Sequence, residues 1–142
     1  MFDLDQIPVP DLSDPNFAPF WEGTRENKLK VQRCEDCGTH RWPPRLTCRS
    51  CRSANVEWVE VVPRGTLYTY TTVGRPTAKG FSSVPYTVGF VALNTPANVR
   101  IIGNVVGVEP SQLAIGMALE GRFVPAGPNG EMTLIHWAPP SA

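Results

Sequence analysis

The chain has 142 residues, 42% hydrophobic and 18% charged; this fits one globular domain with at most a small appendage and excludes an intrinsically disordered chain. Its 13 basic and 13 acidic side chains cancel, which argues against a protein devoted to coating nucleic acid or an anionic membrane. The 15 prolines, about twice ordinary usage, exclude long uninterrupted helices and favour short strands joined by turns. Residues 1–23 carry five acids (Asp3, Asp5, Asp11, Asp14, Glu22) and no base. The opening MFDLDQIPVPDLSDP is acidic and proline-broken, unlike a secretory leader, and no run approaches the roughly 18 apolar residues of a membrane span. The expected location is the cytoplasm. A short helix is predicted near Asn16 to Asn27, with Asn16 as N-cap and Pro19 in the first turn. Phe17, Phe20 and Trp21 stand at i, i+3 and i+4 and form one aromatic face. That face is destined either for the protein's own core or for a partner's groove.

Residues 24–52 are basic, with eight bases against three acids. They hold two CxxC knuckles, Cys34-x-x-Cys37 and Cys48-x-x-Cys51, ten residues apart, which use all four cysteines of the chain. In a reducing compartment such a set predicts metal ligation rather than disulfides. Two thiolates from each knuckle complete a tetrahedral S₄ site, whose ligand chemistry favours zinc, with rubredoxin-like iron as the rival. Four cysteines close the coordination shell, so the ion is expected to be structural. Lys30 and Arg33 lie near enough in sequence to soften the thiolate repulsion, and His40 is a superfluous fifth ligand.

From residue 56 onward the pattern is β. The runs VEWVEVV, GTLYTYTTV, YTVGFVALN, VRIIGNVVG, ALEGRFV and EMTLIHW have strand length and β-rich composition. Gly65, Gly89, Gly103 and Gly121 sit at or inside them, where glycine marks bulges and tight bends. Five main strands, with one helical turn expected within Ser111 to Gly116 between the third and fourth, suggest a small barrel of the OB type. The long connection GRPTAKGFSSVPY, residues 74–86, carries Arg75, Lys79, Phe81 and Tyr86. In such barrels loops of this kind contact ligands, cations suiting phosphate and aromatics suiting a ring or an apolar tunnel. Arg64, Lys79, Phe81 and Tyr86 are the candidate ligand or partner contacts.

Nothing in the sequence assembles an active centre. No cysteine is left over as nucleophile, no serine lies in a GxSxG elbow, and neither a P-loop nor a GxGxxG fingerprint is present. His136, between Ile135 and Trp137 in the last strand, reads as a hydrogen-bonded core or edge histidine. No catalytic residue is assigned, and the chain is not expected to be an enzyme by itself.

The aromatic helix followed by CEDCG, PPR, CRSC, GTLYTYTTV, a Pro-Tyr pair, VGFVALN and LAIGMALEGRFV resembles the rubredoxin-like zinc-ribbon plus OB-fold family that accompanies acyl-CoA enzymes. The resemblance covers essentially the whole chain. It implies a mainly β protein with an N-terminal extension and short helix (1–30), a zinc ribbon (31–55) and a five-stranded OB domain (56–142). It further implies a non-catalytic accessory subunit of a thiolase, an acyltransferase or a steroid side-chain aldolase, in a hetero-oligomer, with a hotdog-fold enoyl-CoA hydratase as the alternative partner. Such a subunit stabilises its partner and helps hold the acyl-CoA, so a coenzyme A thioester is contacted in the complex. Residue by residue, the resemblance carries over only Cys34, Cys37, Cys48 and Cys51 as ligands of one structural Zn²⁺. The competing expectation is a single-stranded nucleic-acid-binding module, favoured by the basic ribbon and Tyr68-x-Tyr70 and opposed by zero net charge.

Overall fold

A computed structural model describes residues 2–141. After a 3-10 turn at Leu4–Gln6 comes one helix, α1 (Ala18–Arg25), followed by eight strands. These are β1 (Leu29–Cys34), β2 (His40–Arg41), β3 (Val56–Val61), β4 (Arg64–Val73), β5 (Tyr86–Leu93), β6 (Arg100–Val105), β7 (Ala118–Ala126) and β8 (Met132–Ala138). The first three form an antiparallel sheet in the order β2-β1-β3, and the other five close a barrel in the order β4-β5-β6-β8-β7. Neighbouring barrel strands run antiparallel, except that β6 and β8 meet in parallel at Val105 and Trp137. A five-stranded closed barrel with a short helical link after its third strand is an OB fold.

Three expectations are corrected in detail. The helix is shorter than Asn16 to Asn27, and Asn16 does not cap it; Phe17 stands at the N-cap without a side-chain bond. The Asn16 N–H instead donates to Asp14 Oδ1 at 3.0 Å, one of the local turns by which Asp competes with helix initiation. The link between the third and fourth barrel strands is a 3-10 turn at Pro110–Gln112, starting one residue before the expected segment. The run at 56–62, placed with the barrel on sequence grounds, pairs as β3 with β1 from Leu29↔Val61 to Cys34↔Val56. A six-residue β-run says nothing about which sheet will receive it, and β1 offers an open edge nearby.

Gly23 has a packing role: a Cβ there would lie 3.1 Å from the Lys28 carbonyl oxygen and from Lys30 Cγ, so the glycine lets the chain fold back tightly from α1 into β1. One hydrophobic core runs through both sheets. Phe20, Leu29, Val31 and Val61 pack in the same cluster as the barrel residues Leu67, Val91, Ile101, Leu119 and Trp137. Phe20 is thus spent in the protein's own core, whereas Phe17 and Trp21 are half-buried. Phe17 and Trp21 line an apolar groove of about 270 Å³ against Trp42, Ile102 and Leu134. Among the described residues no helix is long and apolar enough to cross a membrane.

Candidate metal centre and barrel-mouth hollow

β1 delivers Cys34 at its C-terminal end, and the chain turns at once: the Gly38 N–H donates to the Cys34 carbonyl at 2.9 Å, with Gly38 at φ +78°. The second knuckle repeats the turn, the Arg52 N–H donating to the Cys48 carbonyl at 2.9 Å. Its left-handed position is filled by Arg52 at φ 67°, where a glycine would be the unstrained choice. The Asp36 carboxylate ties the knuckles together, accepting from Ser53 Oγ and from Asn55 Nδ2. Nothing in the sequence pattern marked Asp36 for that task.

All four sulfurs lie within 4.8 Å of one another. Cys34 and Cys51 Sγ are 3.6 Å apart, as are Cys37 and Cys48 Sγ. The Cys51 and Ser50 backbone N–H groups aim at Cys48 and pull its thiol down to about 6; the Cys37 amide lowers that of Cys34. At Cys51 the Ser53 amide favours the thiolate, but desolvation and the neighbouring thiols Cys34, Cys37 and Cys48 outweigh it and push the group up to about 12. The donor set therefore has backbone dipoles ready for thiolates and a mutual repulsion that a divalent cation at the centre would remove. Four soft, convergent sulfurs fit a zinc-ribbon metal site with no open coordination position. His40 is outside this cluster. It lies on β2 opposite Arg33, and desolvation together with the Arg33 charge lowers its pKa. Arg33 itself pairs with Glu57 at 2.9 Å, which reduces the charge it can offer the sulfurs.

A buried network steadies the ribbon. Gln32 Oε1 accepts from Arg41 Nε at 2.7 Å and from the Arg45 N–H at 2.8 Å, while Arg41 Nη2 donates to the Arg45 carbonyl at 2.9 Å. This pins the Pro43-Pro44-Arg45 turn between the knuckles.

The second feature lies at the barrel end, where residues 74–85 join β4 to β5 and residues 127–131 join β7 to β8. The N-terminal segment straps both loops. The Asp3 N–H donates to the Gly80 carbonyl at 3.0 Å, Ser82 Oγ to Asp3 Oδ2 at 2.8 Å, and the Gly127 N–H to the Leu4 carbonyl at 2.8 Å. Ile7 is buried against Ala126 and Met132. Phe2 places its ring 5.4 Å from Phe81, 5.7 Å from Tyr86 and 5.5 Å from His136, edge-on to each. Beside this cluster is a hollow of about 420 Å³.

Of the four contacts expected from the sequence, the structure brings Phe81 and Tyr86 together, their rings 5.3 Å apart, and places Tyr86 in the wall of the hollow. Lys79 lines a separate depression with Asp5, Ile7 and Glu131. Arg64 starts β4, at the far end of a strand that reaches on the order of 30 Å at ordinary rise per residue. His136 is only 5% exposed. Its Nε2 has no hydrogen-bond partner among the described residues, contrary to the hydrogen-bonded histidine expected, and burial lowers its pKa. Phe2 was missed by the sequence reading because its contacts are remote in sequence and carry no periodicity.

Residues 21–57 match the family model for the ChsH2 rubredoxin-like zinc ribbon domain, and residues 58–124 match that for the ChsH2 C-terminal OB-fold domain. The chain is 34% identical over 128 residues to a probable enoyl-CoA hydratase alpha subunit of Thermomonospora curvata, covering 89% of this chain and 38% of that protein. It is 33% identical to a DUF35 domain-containing scaffold protein of Methanocaldococcus jannaschii, over 79% of each chain. It is 30% identical to the benzoylsuccinyl-CoA thiolase subunit BbsA of Thauera aromatica, over 66% of this chain and 67% of that one. Among solved structures, a chain of the Ltp2-ChsH2(DUF35) aldolase superimposes with a TM-score of 0.82 at 31% identity, over 92% of this chain and 98% of that one. The chain thus spans about two-fifths of the length of the hydratase subunit it matches, but nearly all of the aldolase-associated chain. It belongs to the DUF35 family, with a ChsH2-type rubredoxin-like zinc ribbon followed by an OB-fold domain.

Proposed function

We propose that this chain is a non-catalytic accessory subunit of a thiolase-like acyl-CoA enzyme (a thiolase, an acyltransferase or a steroid side-chain aldolase), which it stabilises and helps to hold the acyl-CoA. The observation that carries this reading is its superposition, almost end to end, on the ChsH2(DUF35) chain of an aldolase. The BbsA relative, a thiolase subunit, points the same way. The chemistry agrees: four thiols, all the cysteines of the chain, are committed to one closed site. The ion held by Cys34, Cys37, Cys48 and Cys51 is one structural Zn²⁺, which supplies cross-linking of the two knuckles and no reaction. Four unpaired thiols poised for metal suit a reducing compartment, the cytoplasm.

The partner contacts the groove beside Phe17 and Trp21 and the adjoining outer face of β4, β5 and β6. There Tyr68, Phe90 and Ile102 are 50%, 41% and 52% exposed, with Phe90 directly opposite Ile102 and the Arg100 guanidinium 4.0 Å over the Tyr68 ring. Contiguous exposed aromatics of this kind mark protein interfaces. Lys79 contributes charge, and Phe81 and Tyr86 apolar contact, toward the acyl-CoA, whereas Arg64, at the other end of β4, contacts the partner protein.

The test is affinity capture of the tagged chain from its source cells, followed by mass spectrometry. A thiolase-like, aldolase or hydratase subunit is expected in stoichiometric amount, and it should be lost when Phe90 and Ile102 are both changed to Asp. A chain captured alone, or with nucleic acid in place of an enzyme, overturns the reading.

A further inference from the structure

The strapped barrel mouth has a feature that a docking role alone leaves unexplained. The hollow of about 420 Å³ is walled by Phe2, Leu4, Tyr86, Val105, Val124 and His136 among others, and none of its lining side chains is charged. Its size falls in the range of small-molecule sites, which are mostly apolar with few polar groups. Its loop walls come from the connection before β5 (Ser83, Pro85) and from the segment after β6 (Val106, Val108, Pro110), and the loops of an OB barrel are where that fold takes ligands. Its aromatic side is built from three separate segments. Phe2 comes from the strap, Tyr86 from the start of β5 and His136 from β8, the last two within 5.7 Å of the Phe2 ring, which Phe81 backs at 5.4 Å. The Tyr86 hydroxyl is committed to Thr77 Oγ1 at 2.9 Å. The imidazole of His136, 5% exposed and unpaired at Nε2, lies against the Phe2 ring. It is kept neutral by burial, so it brings no charge to the wall.

We infer that this hollow is a binding site for an uncharged apolar group of ring or short branched-chain size, with Phe2 of the N-terminal strap as one of its walls. The strap is fastened at Asp3, Leu4 and Ile7, which holds Phe2 beside the hollow, where its ring forms part of the wall. Gly80, at φ +84°, is the point over which the strap passes: a Cβ there would stand 2.5 Å from Ile7 Cγ1. The inference deepens the acyl-CoA reading by separating an apolar subsite from the phosphate contacts, and it rests on that reading only for the source of the apolar group.

The experiment uses the full chain with metal bound and the neutral fluorophore N-phenyl-1-naphthylamine, with the anionic 1-anilinonaphthalene-8-sulfonate as comparison. Saturable binding of the neutral probe, at least tenfold tighter than the anion, is expected. Val106→Phe and Val124→Phe, two independent fillings of the hollow, should each weaken it tenfold or more, and Phe2→Ala severalfold. Ile102→Trp, which fills the groove beside α1 instead, should leave it unchanged. Circular dichroism identifies any filled variant that fails to fold, and the other then decides. Displacement of the probe by a hydrophobic acyl-CoA, but not by coenzyme A, would assign the site to the acyl end of a thioester. Displacement by a free neutral ring compound alone would assign it to a separate ligand. Absence of neutral-probe binding, equal or tighter binding of the anion, loss only in Ile102→Trp, or displacement by neither competitor would overturn the inference. None of these results depends on capturing a partner, so the site can fail while the accessory-subunit reading stands, and the reverse.

Discussion

Gly65 meets β5 so closely that a Cβ built on it would stand 2.1 Å from the Ala92 carbonyl oxygen. The obstacle is backbone inside a ladder and cannot swing away, so Gly65→Ala should cost about 3 kcal/mol, at the upper end of overpacking penalties. A lowered urea midpoint with an unchanged slope is the expected signature. His136 sets a different kind of limit. Burial lowers its pKa from the ordinary value of 6.5, so the unfolded chain accepts a proton that the folded protein resists. The residue therefore costs nothing well above that value and removes stability as pH falls through and below it, by at most about 1.4 kcal/mol per pH unit. His136→Phe should flatten that limb: the difference in unfolding free energy between variant and parent should grow steadily from about pH 7 to about pH 5. Taking the difference cancels His40 and the thiolates, which both proteins share. Parallel curves would show that the imidazole is not the group responsible.

At the scale of elements, α1 has eight residues, too few to be stable alone in water; it is held by what Phe20 buries. The Phe20 ring lies 4.7 Å from Trp42 of the ribbon and 5.0 Å from Trp21. Phe20→Ala should cost about 3–4 kcal/mol. Hydrogen exchange should show residues 18–25 losing protection before the barrel does. The aromatic spacing that foretold this face was legible because i, i+3 and i+4 is a local pattern, and the knuckles were legible because ligand spacing is local too. The barrel strands were readable from composition and turn residues, and the helical link within about one residue. What could not be read is pairing at a distance. Val56–Val61 carries the same β grammar as the barrel runs, and only its register with β1 reveals where it goes. Asn16 lost the cap to a turn centred on Asp14, a competition between two equally good local options. The aromatic cluster on Phe2 joins residues 2, 81, 86 and 136, and no pattern within one segment could announce it. Arg64 and Lys79 looked like neighbours of the same site because both are basic and near a loop, yet a ten-residue strand separates Arg64 from that loop.

For the molecule as a whole, the ribbon and the barrel do not own separate cores. Leu29, Val31 and Val61 of the ribbon sheet are buried in one cluster with Leu67, Leu93, Ile101 and Trp137 of the barrel; Leu29, Val31 and Trp137 are fully shielded. A structural zinc in a small ribbon is worth on the order of 10–16 kcal/mol in peptide systems, against whole-domain stabilities of about 5–15 kcal/mol. Removing the ion should therefore melt the ribbon, and the melted ribbon would uncover apolar surface on the barrel. The metal-loaded protein is expected to contain one zinc per chain, to be colourless, and to unfold in a single calorimetric transition. After a strong chelator, or in Cys48→Ser, the barrel's β-sheet signal should melt at a distinctly lower temperature rather than persist unchanged. Readdition of Zn²⁺ should restore the original transition in the chelated protein but not in the variant. A visible absorption band from bound iron would contradict the zinc assignment. A barrel transition indifferent to the chelator would show that the shared cluster does not couple the two sheets, despite the burial of Leu29 and Val31 within it.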